Sequence, residues 1–95
     1  MPALWIANVN VTDEERYKKY VAVASVVLPA HGGEFIARGG RYVQLEGQDH
    51  ARNVIARFPS MEAAMGAYND SRYQAALEDA LPASDRQIVV VEVDS

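Results

Sequence analysis

The chain contains no cysteine and no long apolar run. Without cysteine it forms neither disulfides nor thiolate metal sites, and it has no cysteine nucleophile. Its apolar stretches fall far short of the roughly 20 residues that a membrane-spanning helix needs. The N-terminal residues also lack the basic segment that opens a secretory signal peptide. We therefore expect a cytoplasmic protein.

Positive charge is also scarce, because 9 lysines and arginines stand against 13 acidic residues, giving a formal net charge of −4. Nucleic-acid binding needs a basic stripe that neutralises phosphates, and the chain has none. Its two histidines, His31 and His50, are far apart and have no metal-ligand spacing to other residues. We expect no metal and no cofactor, and the glycine-rich and nucleophile motifs of common enzyme families are absent as well.

The 95 residues are enough for one domain, which we place at residues 1–95. Hydrophobic periodicity predicts the order strand, helix, strand, strand, helix, strand. The predicted strands are Leu4 to Val11, Glu34 to Arg38, Arg52 to Phe58 and Gln87 to Val93, with Tyr42 to Glu46 extending or pairing with the second. The first predicted helix begins with a capping box at Thr12 and ends near Pro29 or Gly32; the second begins at Ser60, is interrupted at Asn69 and Asp70, resumes with a capping box at Ser71 and ends at Pro82.

This order is that of a ferredoxin-like α+β fold, βαββαβ, with a four-stranded antiparallel sheet and two helices on one face. The first and last strands carry apolar residues on both of their faces. Since the helices cover only one face of the sheet, we expect a second copy of the chain to cover the other, forming a homodimer. The alternative is that these short strands are simply apolar throughout.

The segment from His31 to Gly40 places two glycine pairs around a short strand, with one histidine and one arginine beside them. His31 could act as a general base, or could cap the end of the preceding helix, where a cation is favourable. Arg38 could hold a carboxylate or an enolate through two hydrogen bonds, or could form a salt bridge with Glu34 or Glu46.

Three tyrosines and a second arginine complete the candidate ligand-binding set. Tyr17, Tyr20 and Tyr68 are predicted to place their rings in the core, and their hydroxyls could point into a cleft. Arg52 opens the third strand and could add positive charge to the same cleft, or form a salt bridge at its rim. His50 is interpreted as a solvated loop residue.

A set of residues spread over nearly the whole chain forms a recognisable pattern: Trp5-Ile6, Thr12-Asp13, Tyr17, Tyr20, Pro29, His31-Gly32-Gly33, Phe35, Arg38-Gly39-Gly40, Glu46-Gly47, Arg52, Phe58-Pro59-Ser60, Ala63-Ala64, Tyr68, Ser71 and Tyr73. This pattern resembles the DUF1330 family of small bacterial proteins, within the dimeric α/β-barrel superfamily. Two positions differ from the family pattern: Ala80 stands where relatives tend to have arginine, and Val93 where they tend to have glycine.

Two functional hypotheses follow. The first is a homodimer that binds a small organic anion in a cleft between sheet and helices. The second is implied by the resemblance, since the superfamily includes cofactor-independent and haem-dependent monooxygenases and small isomerases. In that hypothesis His31 removes a proton and Arg38 stabilises the resulting oxyanion. A haem role is less favoured, because only His31 or His50 could be an axial ligand.

Overall fold

The elements of the described chain, residues 1–94, follow the ferredoxin-like order in this computed structural model. As predicted, the second helical stretch is interrupted near Asn69 and Asp70, and it forms two helices divided at Asp70. The elements are β1 (Ala3–Val11), α1 (Glu14–Ala30), β2 (Glu34–Arg38), β3 (Arg52–Phe58), α2 (Met61–Asn69), α3 (Ser71–Ala80) and β4 (Ser84–Glu92).

The four strands form an antiparallel sheet in the order β2-β3-β1-β4. In the central strand β1, Trp5, Ala7 and Val9 are buried and alternate with partly exposed residues. The period of two therefore directs one set of β1 side chains toward the helices and the other toward the opposite face. The predicted four-stranded antiparallel sheet, with its helices on one face, is confirmed.

An aromatic cluster on Trp5 forms the centre of the core. The Trp5 ring centroid lies 5.5 Å from that of Tyr73, in an edge-to-face arrangement, and 6.0 Å from those of Phe58 and Tyr68. Trp5, Tyr73 and Phe58 are the largest fully buried side chains. Because aromatic pairs of this geometry contribute about 0.5–1.5 kcal/mol beyond the area they bury, the cluster joins the sheet firmly to α2 and α3.

Of the three helix caps predicted from the sequence, one is confirmed and two are wrong. Ser60 caps α2 as predicted, accepting a hydrogen bond from the Ala63 N–H at 3.0 Å. The capping box at Thr12 is wrong, because the Thr12 N–H donates to the Ala83 carbonyl and Asp13 caps α1 instead. The capping box at Ser71 is also wrong by one residue, since the Asp70 carboxylate accepts the first hydrogen bond of α3.

The end of α1 lies beyond Pro29, which occupies the last turn rather than terminating the helix. Pro29 lacks an N–H, so the turn is closed by the residues that follow it. The N–H groups of His31 and Gly33 both donate to the Leu28 carbonyl. Gly32 adopts a φ of 87°, a conformation that favours glycine, and this bend directs the chain into β2.

Residues 39–51 form a loop without regular structure, so the strand predicted at Tyr42 to Glu46 is wrong. Its apolar side chains are exposed, Leu45 by 86%. The far end of the loop is fixed, because Asn10 on β1 bonds the Asp49 carbonyl and the Ala51 N–H. The prediction that His50 is solvated is also wrong: its side chain is buried, and Nδ1 donates to the Gln48 carbonyl.

The face of the sheet away from the helices has an apolar half and a polar half. In the apolar half, Leu4 lies opposite Val91, and Ile6 lies between Ile55 and Val89. In the polar half, the Asn8 side chain donates to Asn53 and accepts from Gln87. We call this surface the open face, and no helix of residues 1–94 packs on it. No helix in this part of the chain has the length and apolar character to cross a membrane.

Candidate functional site

A cleft lies between α1 and the helix-covered side of β1, β2 and β3. We call it the α1 cleft. Tyr17, Tyr20, Phe35, Arg38 and Arg52 line it together with apolar side chains of β1 and α1. Its inner part has a volume of about 30 Å³, and its outer part, which shares Tyr17 and Arg52 with the inner part, has a volume of about 520 Å³. The inner part is therefore the size of a water molecule, and only the outer part admits an organic ligand.

Arg38 reaches the cleft because of an irregularity in β2. The pairing between β2 and β3 shifts between Phe35 and Ala37. Strict alternation places residues three apart on opposite faces of a sheet, but this bulge places Phe35 and Arg38 on the same face. The exposed Arg38 guanidinium lies 4.0 Å above the Phe35 ring and donates to the Ser25 hydroxyl on α1. Neither Glu34 nor Glu46 forms a salt bridge with Arg38 in the described chain.

Arg52 is half-buried at the start of β3. It lies opposite Val9 on β1, at the junction of the inner and outer parts of the cleft. Its guanidinium packs against the backbone of Gly39, where an added Cβ would lie 3.1 Å from Nη1. The absence of a side chain at Gly39 therefore leaves the space that the Arg52 guanidinium occupies. No carboxylate of residues 1–94 lies within salt-bridge distance of Arg52.

The tyrosine hydroxyls of α1 and α3 meet in a buried network. The Tyr20 and Tyr73 hydroxyls lie 2.9 Å apart. Burial and the neighbouring Tyr20 raise the pKa of Tyr17, and burial together with Tyr20 raises the pKa of Tyr73 still further. The phenols of Tyr17 and Tyr73 therefore stay protonated at neutral pH, so they can donate hydrogen bonds but cannot serve as bases.

A third arginine, Arg86 on β4, joins this network and was not among the residues singled out from the sequence. Its guanidinium lies 4.5 Å above the Tyr20 ring and donates to the Tyr17 and Tyr73 hydroxyls at 3.4 and 3.5 Å. Alternation along β4 places Arg86 on the same face as Ile88 and Val90, which pack on the core. That period-two pattern was the signal for an inward-facing arginine.

His31 lies apart from the α1 cleft, at the C-terminal end of α1, and is not one of the residues that line it. Its Nε2 lies 2.9 Å from the Asp70 carboxylate, between α2 and α3. Arg72 bonds the same carboxylate. The hydrogen bonds from Arg72 and His31 hold the pKa of Asp70 well below its usual range. The structure thus brings Tyr17, Tyr20, Arg38 and Arg52 together and leaves His31 elsewhere.

Tyr68 also lies outside the α1 cleft. It packs on Trp5 and Tyr73 and lines a separate groove beside β4. Ala80, where the resemblance leads us to expect arginine, is fully buried in α3, so that position supplies no charge here. Within residues 1–94 no three histidine, aspartate or glutamate side chains lie close enough together to hold a metal ion.

A family model described as a domain of unknown function, DUF1330, matches residues 2–94. The chain belongs to the DUF1330 family. The resemblance drawn from the sequence is therefore confirmed. No curated protein matches this DUF1330 chain.

Solved structures share the fold of this DUF1330 chain at low sequence identity. A Rhodopseudomonas palustris protein of unknown function has a TM-score of 0.80 at 19% identity, over 99% of this chain and 83% of the other. A dimeric ferredoxin-like protein of unknown function from Jannaschia sp. CCS1 has a TM-score of 0.78 at 14% identity, over 98% and 100%. SnoaB from Streptomyces nogalater, described as a cofactor-independent oxygenase, has a TM-score of 0.69 at 10% identity, over 99% and 94%.

Proposed function

We propose that this protein binds a small organic anion in the α1 cleft. The observation that carries the proposal is that Arg52 lines both parts of this cleft and Arg38 lines its inner part, and neither pairs with a carboxylate of residues 1–94. The half-buried guanidinium of Arg52, which lacks a counter-ion in the described chain, is stabilised by an incoming carboxylate, which it can bind through two parallel hydrogen bonds.

The other walls of the cleft indicate what else the anion carries. Tyr17 has a protonated hydroxyl, which can donate a hydrogen bond to an anion and carries no negative charge that would repel it. Val9, Val11 and Val21 provide an apolar surface in the outer part of the cleft, the part that admits an organic ligand. The favoured ligand is therefore a small carboxylate with an apolar body. Benzoate is a suitable probe of this class.

The catalytic alternative assigns His31 as the base and Arg38 as the oxyanion stabiliser. The position of His31 gives this alternative no support, because its Nε2 faces Asp70 and it does not line the α1 cleft. The similarity to SnoaB is one of fold, which hosts many chemistries. The proposal is therefore restricted to binding.

A second copy of the chain covers the open face in this proposal. The apolar half of that face leaves Val89 and Val91 exposed and Leu4 and Ile6 partly exposed. Monomeric proteins seldom leave so continuous an apolar patch in water. The structurally similar Jannaschia protein is described as dimeric, which supports the same arrangement here. A two-fold axis through the face would place the two apolar halves in contact.

Isothermal titration calorimetry with benzoate tests the binding proposal. Replacing Arg52 by alanine removes a charged hydrogen-bond donor, whose loss costs about 1.5–3 kcal/mol, so affinity falls about tenfold or more. The matched control is Arg57→Ala, on the same strand but on the open face, which leaves affinity unchanged. Benzamide, the uncharged analogue, binds more weakly than benzoate. Equal losses in the Arg52 and Arg57 variants would contradict the proposal.

A further inference from the structure

A second cavity lies between α2 and the outer strand β4. We call it the β4 groove. It has a volume of about 490 Å³, within the range of small-molecule sites. Met61, Met65, Tyr68, Leu81, Arg86 and Ile88 line it. Trp5 separates it from the α1 cleft and is the one residue that lines both cavities; its side chain is fully buried.

The groove is apolar and open to solvent. Met65 is 43% exposed and Leu81 59% exposed, so the groove leaves large apolar side chains in water. Methionine side chains are flexible and polarisable, and they adapt their shape to apolar partners. The lining therefore favours an occupant with a flexible apolar body.

Arg86 is the one charged residue in the lining of the groove. Its guanidinium is half-buried, and no carboxylate of residues 1–94 lies within salt-bridge distance. Its partners are the Tyr20 ring and two hydroxyl oxygens, those of Tyr17 and Tyr73, at the long distances of 3.4 and 3.5 Å. Five N–H donors are present in a guanidinium, and long hydrogen bonds to neutral oxygens satisfy it poorly. The Arg86 guanidinium at this end of the groove therefore lacks a negatively charged partner among residues 1–94.

We propose that the β4 groove is a second binding site, which takes an amphipathic monoanion such as a short fatty acid. Its carboxylate pairs with Arg86, and its hydrocarbon body lies against Met61, Met65 and Leu81. The site uses a different arginine from the α1 cleft, because Arg38 and Arg52 do not line the groove. Charge complementarity at Arg86 distinguishes this occupant from a purely apolar protein segment.

The methionines provide a direct probe. The chain has three, and Met61 and Met65 line the groove whereas Met1 does not and no methionine lines the α1 cleft. Protein carrying isotope-labelled methionine methyl groups is titrated with hexanoate, and each resonance is followed by NMR. We expect saturable shifts of the Met61 and Met65 methyl groups and none of Met1. Hexanamide, which lacks the charge, binds about tenfold more weakly or worse.

Two variants test the role of charge. Arg86→Gln keeps hydrogen-bonding capacity but loses the charge, and hexanoate affinity falls about tenfold or more. Because Arg86 is half-buried, its replacement could also destabilise the fold, and a second variant at an exposed position separates the two effects. Met65→Glu places a carboxylate beside the groove, which repels hexanoate and lowers its affinity to a similar extent. Arg52→Ala, in the α1 cleft, leaves the methionine shifts unchanged.

Three results would overturn the inference. The first is the absence of Met61 and Met65 shifts at saturating hexanoate, and the second is equal affinity for hexanoate and hexanamide. The third is a shift of these methyl groups with protein concentration, in the absence of any ligand, that persists in an Ile6→Asp variant of the open face, which would show that a second copy of the chain fills the groove. A failure of benzoate to bind the α1 cleft would leave these readouts unaffected.

Discussion

Alanine at Gly33 is expected to destabilise the fold strongly, although glycine-to-alanine changes often stabilise proteins. A Cβ added at Gly33 would lie 2.8 Å from the Leu28 carbonyl oxygen and 2.8 Å from Phe58 Cζ. Ordinary contacts of a Cβ are 3.4–4 Å. Neither neighbour moves easily, because the Leu28 carbonyl closes the end of α1 and Phe58 is buried in the core.

The size of the effect follows from two opposing contributions. Overpacking of a core by one methyl group costs about 1–3 kcal/mol. The reduced entropy of the unfolded chain returns about 0.4–1 kcal/mol. Taking the middle of each range, the net loss is about 1–2 kcal/mol. At about 4–8 °C per kcal/mol for a domain of this size, the melting temperature of Gly33→Ala falls by roughly 4–16 °C.

Gly40→Ala provides the matched control. An added Cβ at Gly40 would meet no heavy atom within 4 Å, and the residue does not adopt positive φ. Its melting temperature should equal or slightly exceed that of the wild type. Both variants are compared by calorimetry at one protein concentration, since dimerisation would make the melting temperature concentration-dependent. Equal melting temperatures for the two variants would refute the steric reasoning.

Three further predictions concern other parts of the molecule. Tyr73→Phe removes the buried hydrogen bond to Tyr20 and lowers the free energy of unfolding by about 1–2 kcal/mol, measured by urea denaturation; an unchanged midpoint would contradict this. The pKa of Asp70 is lower in the folded protein than in the unfolded chain, so the ionised carboxylate stabilises the fold above its unfolded-state pKa and this stabilisation is lost as the pH falls through the folded-state pKa. Asp70→Asn should therefore lower the melting temperature at neutral pH and make the melting temperature less sensitive to acid. Plots of melting temperature against pH that run parallel for wild type and variant would argue against this. Ile6→Asp on the open face converts the proposed dimer to a monomer in analytical ultracentrifugation, and a wild type that is already monomeric would refute the dimer.

Much of the fold could be predicted from the sequence because local patterns determine it. β3 has the predicted bounds, Arg52 to Phe58, since a clear alternation ends at Pro59. The position of Arg38 could not be predicted in the same way. A bulge changes the face on which every later residue of the strand lies, and no residue in β2 requires one.

The candidate site was predicted in part for similar reasons. Tyr17 and Tyr20 lie on the helical stripe that faces the sheet, so their place in the α1 cleft follows from the period of the helix. His31 is separated from the cleft by a tertiary contact with Asp70, which is 39 residues away in the chain and which no local pattern reveals. The alternation of β4 indicates that Arg86 faces the core, but it does not reveal the tyrosine partners of Arg86, which come from two helices distant in the chain.

A crystal structure of the protein with bound benzoate tests the central claim most directly. We expect the carboxylate to lie in the outer part of the α1 cleft, within hydrogen-bonding distance of the guanidinium of Arg52, with the ring against Val9 and Val21. A benzoate molecule bound elsewhere, with the Arg52 guanidinium paired instead to an acidic side chain of the protein, would contradict this expectation.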